Sequence, residues 1–207
     1  VRLAGGKSVS LWHADADLHS VDAVVLPGGF SYGDYLRCGA IAKFAPVMGK
    51  LVDAANGGLP VLGICNGFQI LTESGLLPGA LLRNTNIKFN CKNVHLTPGT
   101  TNSQVTNKLA DKQVIQVPIA HGEGRFYCDD TTLAEIEANN QVIFRYCDSE
   151  GNTTDESNPN GSINNIAGIT NAGRNVFGMM PHPERCAKDY LLNEDGSFVF
   201  ESLGLRV

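Results

Sequence analysis

The chain has 207 residues, 43% hydrophobic and 18% charged, the balance of an ordinary globular domain with a sizeable core. Lys and Arg number 16 against 21 Asp and Glu, a formal charge of -5 with no long basic run, which speaks against non-specific binding to nucleic acid or to an anionic membrane. Six cysteines, at 38, 65, 91, 128, 147 and 186, form neither a CxxC pair nor a zinc-finger spacing, and no stretch has the length of a membrane span, so reduced thiols in a cytoplasmic protein are expected. The stretch Val1 to Lys7 lacks the apolar run of a signal peptide.

In chain order, Val9–Trp12 predicts a short strand. The valine-rich run Ala23–Leu26, ended by Pro27-Gly28-Gly29, predicts a buried one. Apolar residues at 41, 44, 45, 48, 51 and 52 predict a helix between Cys38 and Asn56, stopped by Gly57-Gly58. Val61–Ile64 reads as the next buried strand and Phe68–Glu73 as a helix closed by Gly75. Thr97 to Thr106 reads as a polar loop. Strands follow at Val114–Val117, Val142–Tyr146, Ile166–Thr170 and Val176–Met180, with helices over Leu133–Asn139 and Ser197–Leu203. Asp148 to Gly161, with Asn-Pro and Asn-Gly turn signals, reads as an exposed loop. Strands alternating with helices at the front predict an α/β fold whose three-layer sheet is mostly parallel, with helices on both faces; the strand-rich back half leaves room for an antiparallel part. One domain over residues 1–207 is expected, with no internal repeat.

The sharpest local signal is VLGICNGFQIL (61–71). An apolar strand enters G-x-C-x-G and continues as a helix, the pattern of a nucleophile elbow with Cys65 at its tip. Flanking glycines suit a tight turn around a strained central residue, and a helix N-terminus favours the thiolate. The bland reading, a small buried hydrophobe, fits the other five cysteines, which lack this context. Pro181-His182-Pro183-Glu184 follows a predicted strand. Prolines on both sides predict an extended backbone, which puts His182 and Glu184 on one face. A cysteine, a histidine and a carboxylate can then serve as nucleophile, acid–base and orienter. Acyl transfer also needs N–H donors for the developing oxyanion. Asn66, after the nucleophile, and Gly29, in the turn beside Gly28, are the candidates. His121, set among glycines in AHGEGR (120–125), is a candidate for lining the site without doing chemistry. His13, His19 and His95 have no comparable setting.

These residues resemble the class I (triad) glutamine amidotransferases. More narrowly, GGFSYGDYLRCGAIA (28–42), GICNGFQILTESGLLPGAL (63–81), PIAHGEGRF (118–126), NPNGS (158–162) and MMPHPER (179–185) are similar to the glutaminase subunits of phosphoribosylformylglycinamidine synthase, over nearly the whole chain. The resemblance implies a flavodoxin-like sheet, with Cys65 as nucleophile and His182 and Glu184 as its partners. It also implies a glutamine pocket beside Gln69 and Gly28. It further implies a synthetase partner that uses ATP and magnesium to convert formylglycinamide ribonucleotide to formylglycinamidine ribonucleotide in purine biosynthesis. A further small subunit of that complex is left open, and no metal or organic cofactor is expected in this chain. Relatives of this kind begin with a strand and an FPG-(S/T)-N-C-D loop. This sequence starts about where the first helix would run, so an open sheet edge is expected near Ala23–Leu26.

Two other readings share parts of the pattern. A cysteine hydrolase of peptides or esters would keep the triad but need an open cleft, and an assembly subunit would keep the fold and lose the chemistry. Segments 31–37 and 121–125, which mix aromatic, arginine and glycine residues, are expected to dock a partner.

Overall fold

The computed structural model describes residues 1–188, 191 and 193–204. In chain order the elements are β1 (Val24–Leu26), α1 (Pro46–Asn56), β2 (Val61–Ile64), α2 (Asn66–Glu73), β3 (Ala80–Leu82), β4 (Asn90–Pro98), β5 (Ile115–His121), β6 (Arg125–Tyr127), α3 (Asp130–Ala138), β7 (Val142–Cys147), β8 (Ile166–Thr170), β9 (Val176–Met179) and α4 (Ser197–Ser202). Seven strands form one sheet in the order β1-β2-β9-β8-β7-β4-β5, while β3 and β6 make a separate antiparallel ribbon.

The α/β class holds, but the sheet is not mostly parallel. Only β1/β2 and β2/β9 run parallel; β9/β8, β8/β7, β7/β4 and β4/β5 are antiparallel. Parallel neighbours need a long crossover. The front of the chain has one, through α1, whereas the turn joining β8 to β9 is too short for anything but a reversal. β2 and β9 are fully buried, as their apolar runs require. β4, by contrast, is polar and exposed over its first half, which hides it from a reading of apolar periodicity.

Three further differences have local causes. Val9–Trp12 is not a strand: among the described residues no strand lies beside it, and Val9 and Trp12 stay exposed. The helix expected from Cys38 breaks into a short 3-10 turn over Ala42–Phe44 and α1, because Pro46 takes the first helical position and Ala45 before it is extended. α3 starts earlier than its apolar residues suggest, since the Asp129 carboxylate caps it by accepting from the Thr132 N–H at 2.9 Å.

What positions the site is the pair of parallel contacts. They align the C-terminal ends of β1, β2 and β9, with Leu26 beside Gly63 and Ile64 beside Met179. Helix α2 starts immediately beyond β2 and packs on β1, β2 and β9. Its first turn lies so close to β1 that a Cβ at Gly67 would collide with the Leu26 carbonyl. Gly67→Ala is therefore expected to cost about 3 kcal/mol through overpacking against backbone. Gly49→Ala on the open face of α1, where a Cβ meets nothing within 4 Å, should instead gain about 0.5–1 kcal/mol. Urea unfolding midpoints of the two variants check both signs.

Candidate active site

Cys65 stands between β2 and α2 with φ 51° and ψ -104°, a conformation that non-glycine residues rarely adopt. The turn holds it there from both sides: its N–H donates to the Met179 carbonyl at 2.8 Å, and its carbonyl accepts from the Gln69 N–H at 3.1 Å. Its thiol points toward the Ala120 carbonyl, 3.7 Å away. The elbow expected from G-x-C-x-G is thus present. Burial works against the expected thiolate. Burial pushes the Cys65 thiol up to about 12, the Asn66 N–H at the sulfur pulls it down, and the nearby Glu184 charge pushes it up again. Desolvation outweighs the helix N-terminus, so the sulfur needs a proton acceptor.

That acceptor arrives from β9. The His182 N–H donates to the Pro118 carbonyl at 2.8 Å, which fixes the segment against β5. Nδ1 lies 2.6 Å from Glu184 Oε1. A carboxylate at Nδ1 holds the proton there and leaves Nε2 able to accept one. Nε2 is buried and has no partner among the described residues. The backbone differs from the extended form expected: Pro183–Arg185 is a 3-10 turn, with Pro183 in its first position. Glu184 reaches back to its histidine across this turn, so the pairing is as expected and the geometry behind it is not. Cys65 and His182 meet over Gly28. A Cβ there would stand 2.6 Å from His182 Cε1 and 3.5 Å from Cys65 Cβ, so only glycine lets the two side chains approach.

Gly29 and Asn66 both lie at the sulfur's side of the site. Gly29 lines the same cavities as Cys65, and no oxygen accepts from its N–H among the described residues. The Asn66 N–H is directed at the Cys65 sulfur. The Asn66 side chain ties the site together: Nδ2 donates to Gln69 Oε1 at 2.9 Å, and Oδ1 accepts from the Ser31 N–H at 3.3 Å. Gln69 is buried, and its Nε2 donates to the Glu123 carbonyl at 2.7 Å. Oε1 and one N–H of Gln69 are therefore already engaged, which suits a scaffold for the pocket wall.

A cavity of about 350 Å³ opens beside Cys65. Gln69, His121, Glu123 and Asp34 line it, the last from a segment expected to dock a partner, together with Arg83 and Lys88, which sequence reasoning passed over. No motif marks Arg83 and Lys88; only the fold brings their segment beside the others. His121 is 3% exposed and neither ring nitrogen has a partner among the described residues. Burial depresses its pKa to about 4, with a smaller push from His182, so the ring is neutral near pH 7.

The polar loop 148–161 also departs from expectation at its end. Asn160 is buried and donates to the Gly124 carbonyl at 2.8 Å. Ser162 Oγ accepts from the Phe126 N–H at 3.0 Å. Asn84, equally buried, donates to the Lys88 and His121 carbonyls at 2.9 Å each and accepts from the Gly124 N–H at 3.1 Å. These amides clamp the 121–124 turn and the 83–89 loop around the cavity.

Residues 7–196 match the CobB/CobQ-like glutamine amidotransferase domain. The chain is 59% identical over 199 residues to phosphoribosylformylglycinamidine synthase subunit PurQ of Thermosynechococcus vestitus, covering 93% of this chain and 83% of that one. It is 54% identical over 200 residues to the protein of the same name from Chlorobaculum parvum, covering 97% and 79%. Among solved structures, a chain of PurLQS from Thermotoga maritima superposes with a TM-score of 0.80 at 43% identity, covering 91% of this chain and 81% of that one.

The buried imidazole has a measurable consequence. A histidine whose folded pKa is depressed stabilises the fold above its unfolded pKa and loses that contribution as pH falls through the folded value. Between about pH 7.5 and pH 4, His121 is expected to remove about 3 kcal/mol of stability. His121→Asn should flatten that part of the unfolding free energy against pH; an unchanged slope would show that another group titrates there.

Proposed function

Because the chain belongs to the CobB/CobQ-like glutamine amidotransferase family, we propose that it is a glutaminase subunit. It hydrolyses glutamine to glutamate and ammonia and passes the ammonia to a synthetase. In the complex, the synthetase converts formylglycinamide ribonucleotide to formylglycinamidine ribonucleotide, the reaction of the synthase for which the relatives are named. ATP and magnesium act on the synthetase, and the assembly is of the kind seen for PurLQS of Thermotoga maritima. Residues 1–207 work as one glutaminase domain, in the cytoplasm. Among the described residues no helix is long and apolar enough to cross a membrane.

One observation carries the reading of the site. A cysteine held at positive φ on a strand–helix turn meets a histidine whose other nitrogen is 2.6 Å from a glutamate. In the proposed reaction the Cys65 proton passes to His182 Nε2 as the sulfur attacks the carboxamide carbon. The Gly29 and Asn66 N–H groups receive the oxyanion. The imidazolium, steadied by Glu184, protonates the nitrogen as the C–N bond breaks, and ammonia leaves. His182 then takes a proton from water, whose oxygen attacks the glutamyl thioester. The C–S bond breaks, the thiolate is reprotonated, and glutamate departs.

The resting thiol accounts for a subunit that idles alone. With Cys65 raised by burial, the reactive thiolate is scarce until substrate and partner complete the site. The partner's docking face is proposed at the exposed apolar side chains beyond β1: Phe30, Tyr35, at 74% exposed, and Leu36, at 91%. The arginines suit docking less well. Arg37 is bound to Glu73 by two bonds of 2.6 and 2.8 Å, and Arg125 is partly buried.

Cys65→Ser is expected to lower glutamine-dependent synthesis by about a thousandfold or more, with ammonium-dependent synthesis retained. His182→Ala should cost about as much and Glu184→Ala less. A glutamine-like diazo-ketone should add one mass increment at Cys65 of the assembled complex. Normal glutamine turnover by Cys65→Ser, or a folded complex unlabelled at Cys65, would overturn the reading. In the isolated chain, alkylation of Cys65 by iodoacetamide should still climb steeply beyond about pH 9 instead of levelling near neutrality.

A further inference from the structure

We infer that segment 193–196 is a brace that fixes Glu184 against His182, with Asn193, Asp195 and Gly196 as positioning residues for the carboxylate. The inference rests on the glutaminase reading, in which that carboxylate orients the base. It adds three residues that line neither of the cavities beside Cys65.

Glu184 needs such a support. Its side chain is 41% exposed, and besides His182 its partner among the described residues is the exposed Arg185, at 3.7 Å. A solvated ion pair of that length fixes little. The backbone of the turn Pro183–Arg185 must therefore set where the carboxylate stands. The turn closes on itself by two bonds, from the Arg185 N–H to the His182 carbonyl at 3.1 Å and from the Cys186 N–H to the Pro183 carbonyl at 3.2 Å. Pro183 has no N–H with which to tie the turn to the rest of the fold. Gly196 supplies the tie, its N–H donating to the Cys186 carbonyl at 2.7 Å. This position is glycine for space and not for conformation. Its φ of -68° and ψ of -16° suit any residue, but a Cβ there would overlap the Pro183 carbonyl. Residue 196 and the turn thus meet backbone to backbone.

The other end of the brace is fastened to β5, which among the described residues stands at the edge of the sheet. Asp195 Oδ2 accepts from the Gln116 N–H at 2.7 Å, and Asn193 Nδ2 donates to the Gln116 carbonyl at 3.0 Å. Asn193 Oδ1 in turn accepts from the Asp195 N–H at 3.0 Å, which locks the two residues together. An edge strand presents backbone groups without a strand partner, and here two side chains of one short segment take both groups of Gln116. Two residues on, the Pro118 carbonyl receives the His182 N–H at 2.8 Å. Histidine and brace therefore rest on neighbouring sites of one strand. The ring closes through Gly196, the turn and the 2.6 Å contact of Glu184 Oε1 with His182 Nδ1. Releasing the brace from Gln116 frees the turn and its carboxylate, while the bond to Pro118 keeps the histidine in place.

The test uses the complex assembled with its synthetase, with rates divided by the amount of Cys65 that the glutamine-like diazo-ketone labels, so unfolded material drops out. Asp195→Ala should lower kcat for glutamine-dependent synthesis by about tenfold with KM unchanged, the cost of a misplaced orienting group. Asp195→Asn keeps an acceptor oxygen for the Gln116 N–H and should hold kcat within about twofold of wild type. Asn193→Ala should repeat the fall in kcat, so the outcome does not hang on the folding of one variant. Both alanine variants are then measured again in a Glu184→Ala background. There each should change kcat by less than about twofold, because the group it positions is already gone. A residue that only stabilises the fold would cost the same in both backgrounds. Wild-type kcat in both alanine variants, or an equal fall with and without Glu184, would overturn the inference and leave the glutaminase reading standing. Failure of the wild-type complex to hydrolyse glutamine would overturn the glutaminase reading itself, and this inference with it.

Discussion

The close approach of α2 to the end of β1 is the constraint on which the rest depends. With Gly67 pressed against the Leu26 carbonyl, the chain leaving β2 has no room for a gradual turn into the helix. It must reverse in one residue, and that residue is Cys65, at positive φ. The strain is local and is offset by hydrogen bonds on both sides of the cysteine and by the buried contacts of α2. What the strain achieves is placement. The sulfur stands clear of the sheet, where a histidine from β9 and a glycine turn from β1 reach it.

The chemical half of the site was far more legible than its frame. Cys65, His182 and Glu184 sit in motifs whose glycines and prolines announce backbone geometry, and the structure brings all three together. The buried strands β2 and β9 were equally plain, because strands covered on both faces must be apolar throughout; β1 reads the same way but stands at the sheet edge with only Val24 buried. β4 was not, since its first half is polar and it is defined by pairing with β5 and β7 and not by its own periodicity. Val9–Trp12 erred in the other direction. Its alternation suits a strand, but a strand exists only where a neighbour takes its hydrogen bonds. Asn84 and Asn160 were illegible for a third reason: an asparagine in a polar loop looks the same whether its amide meets water or a buried carbonyl.

Buried polar side chains in the loops fix the shape of the cavity wall. Asn84, Asn160 and Ser162 carry no charge and take no part in the proposed chemistry. They satisfy backbone groups of the 121–126 segment that would otherwise be buried without partners, and so hold the cavity wall in one arrangement. A wall made of loops then gains the definition of a wall made of strands.

The parallel pairing of β2 with β9 also governs when the site comes into being. Asn175, just before β9, donates to the Ala55 carbonyl across 120 positions of sequence. Loop closure over such a span is slow, and contacts of this kind form late in folding. During synthesis Cys65 leaves the ribosome long before His182. A nascent chain therefore carries Cys65 before the segment of His182 and Glu184 that the fold sets beside it has been made. The order of residues along the chain thus acts as a safeguard: the amide-splitting machinery becomes complete only once nearly all of the domain has been made.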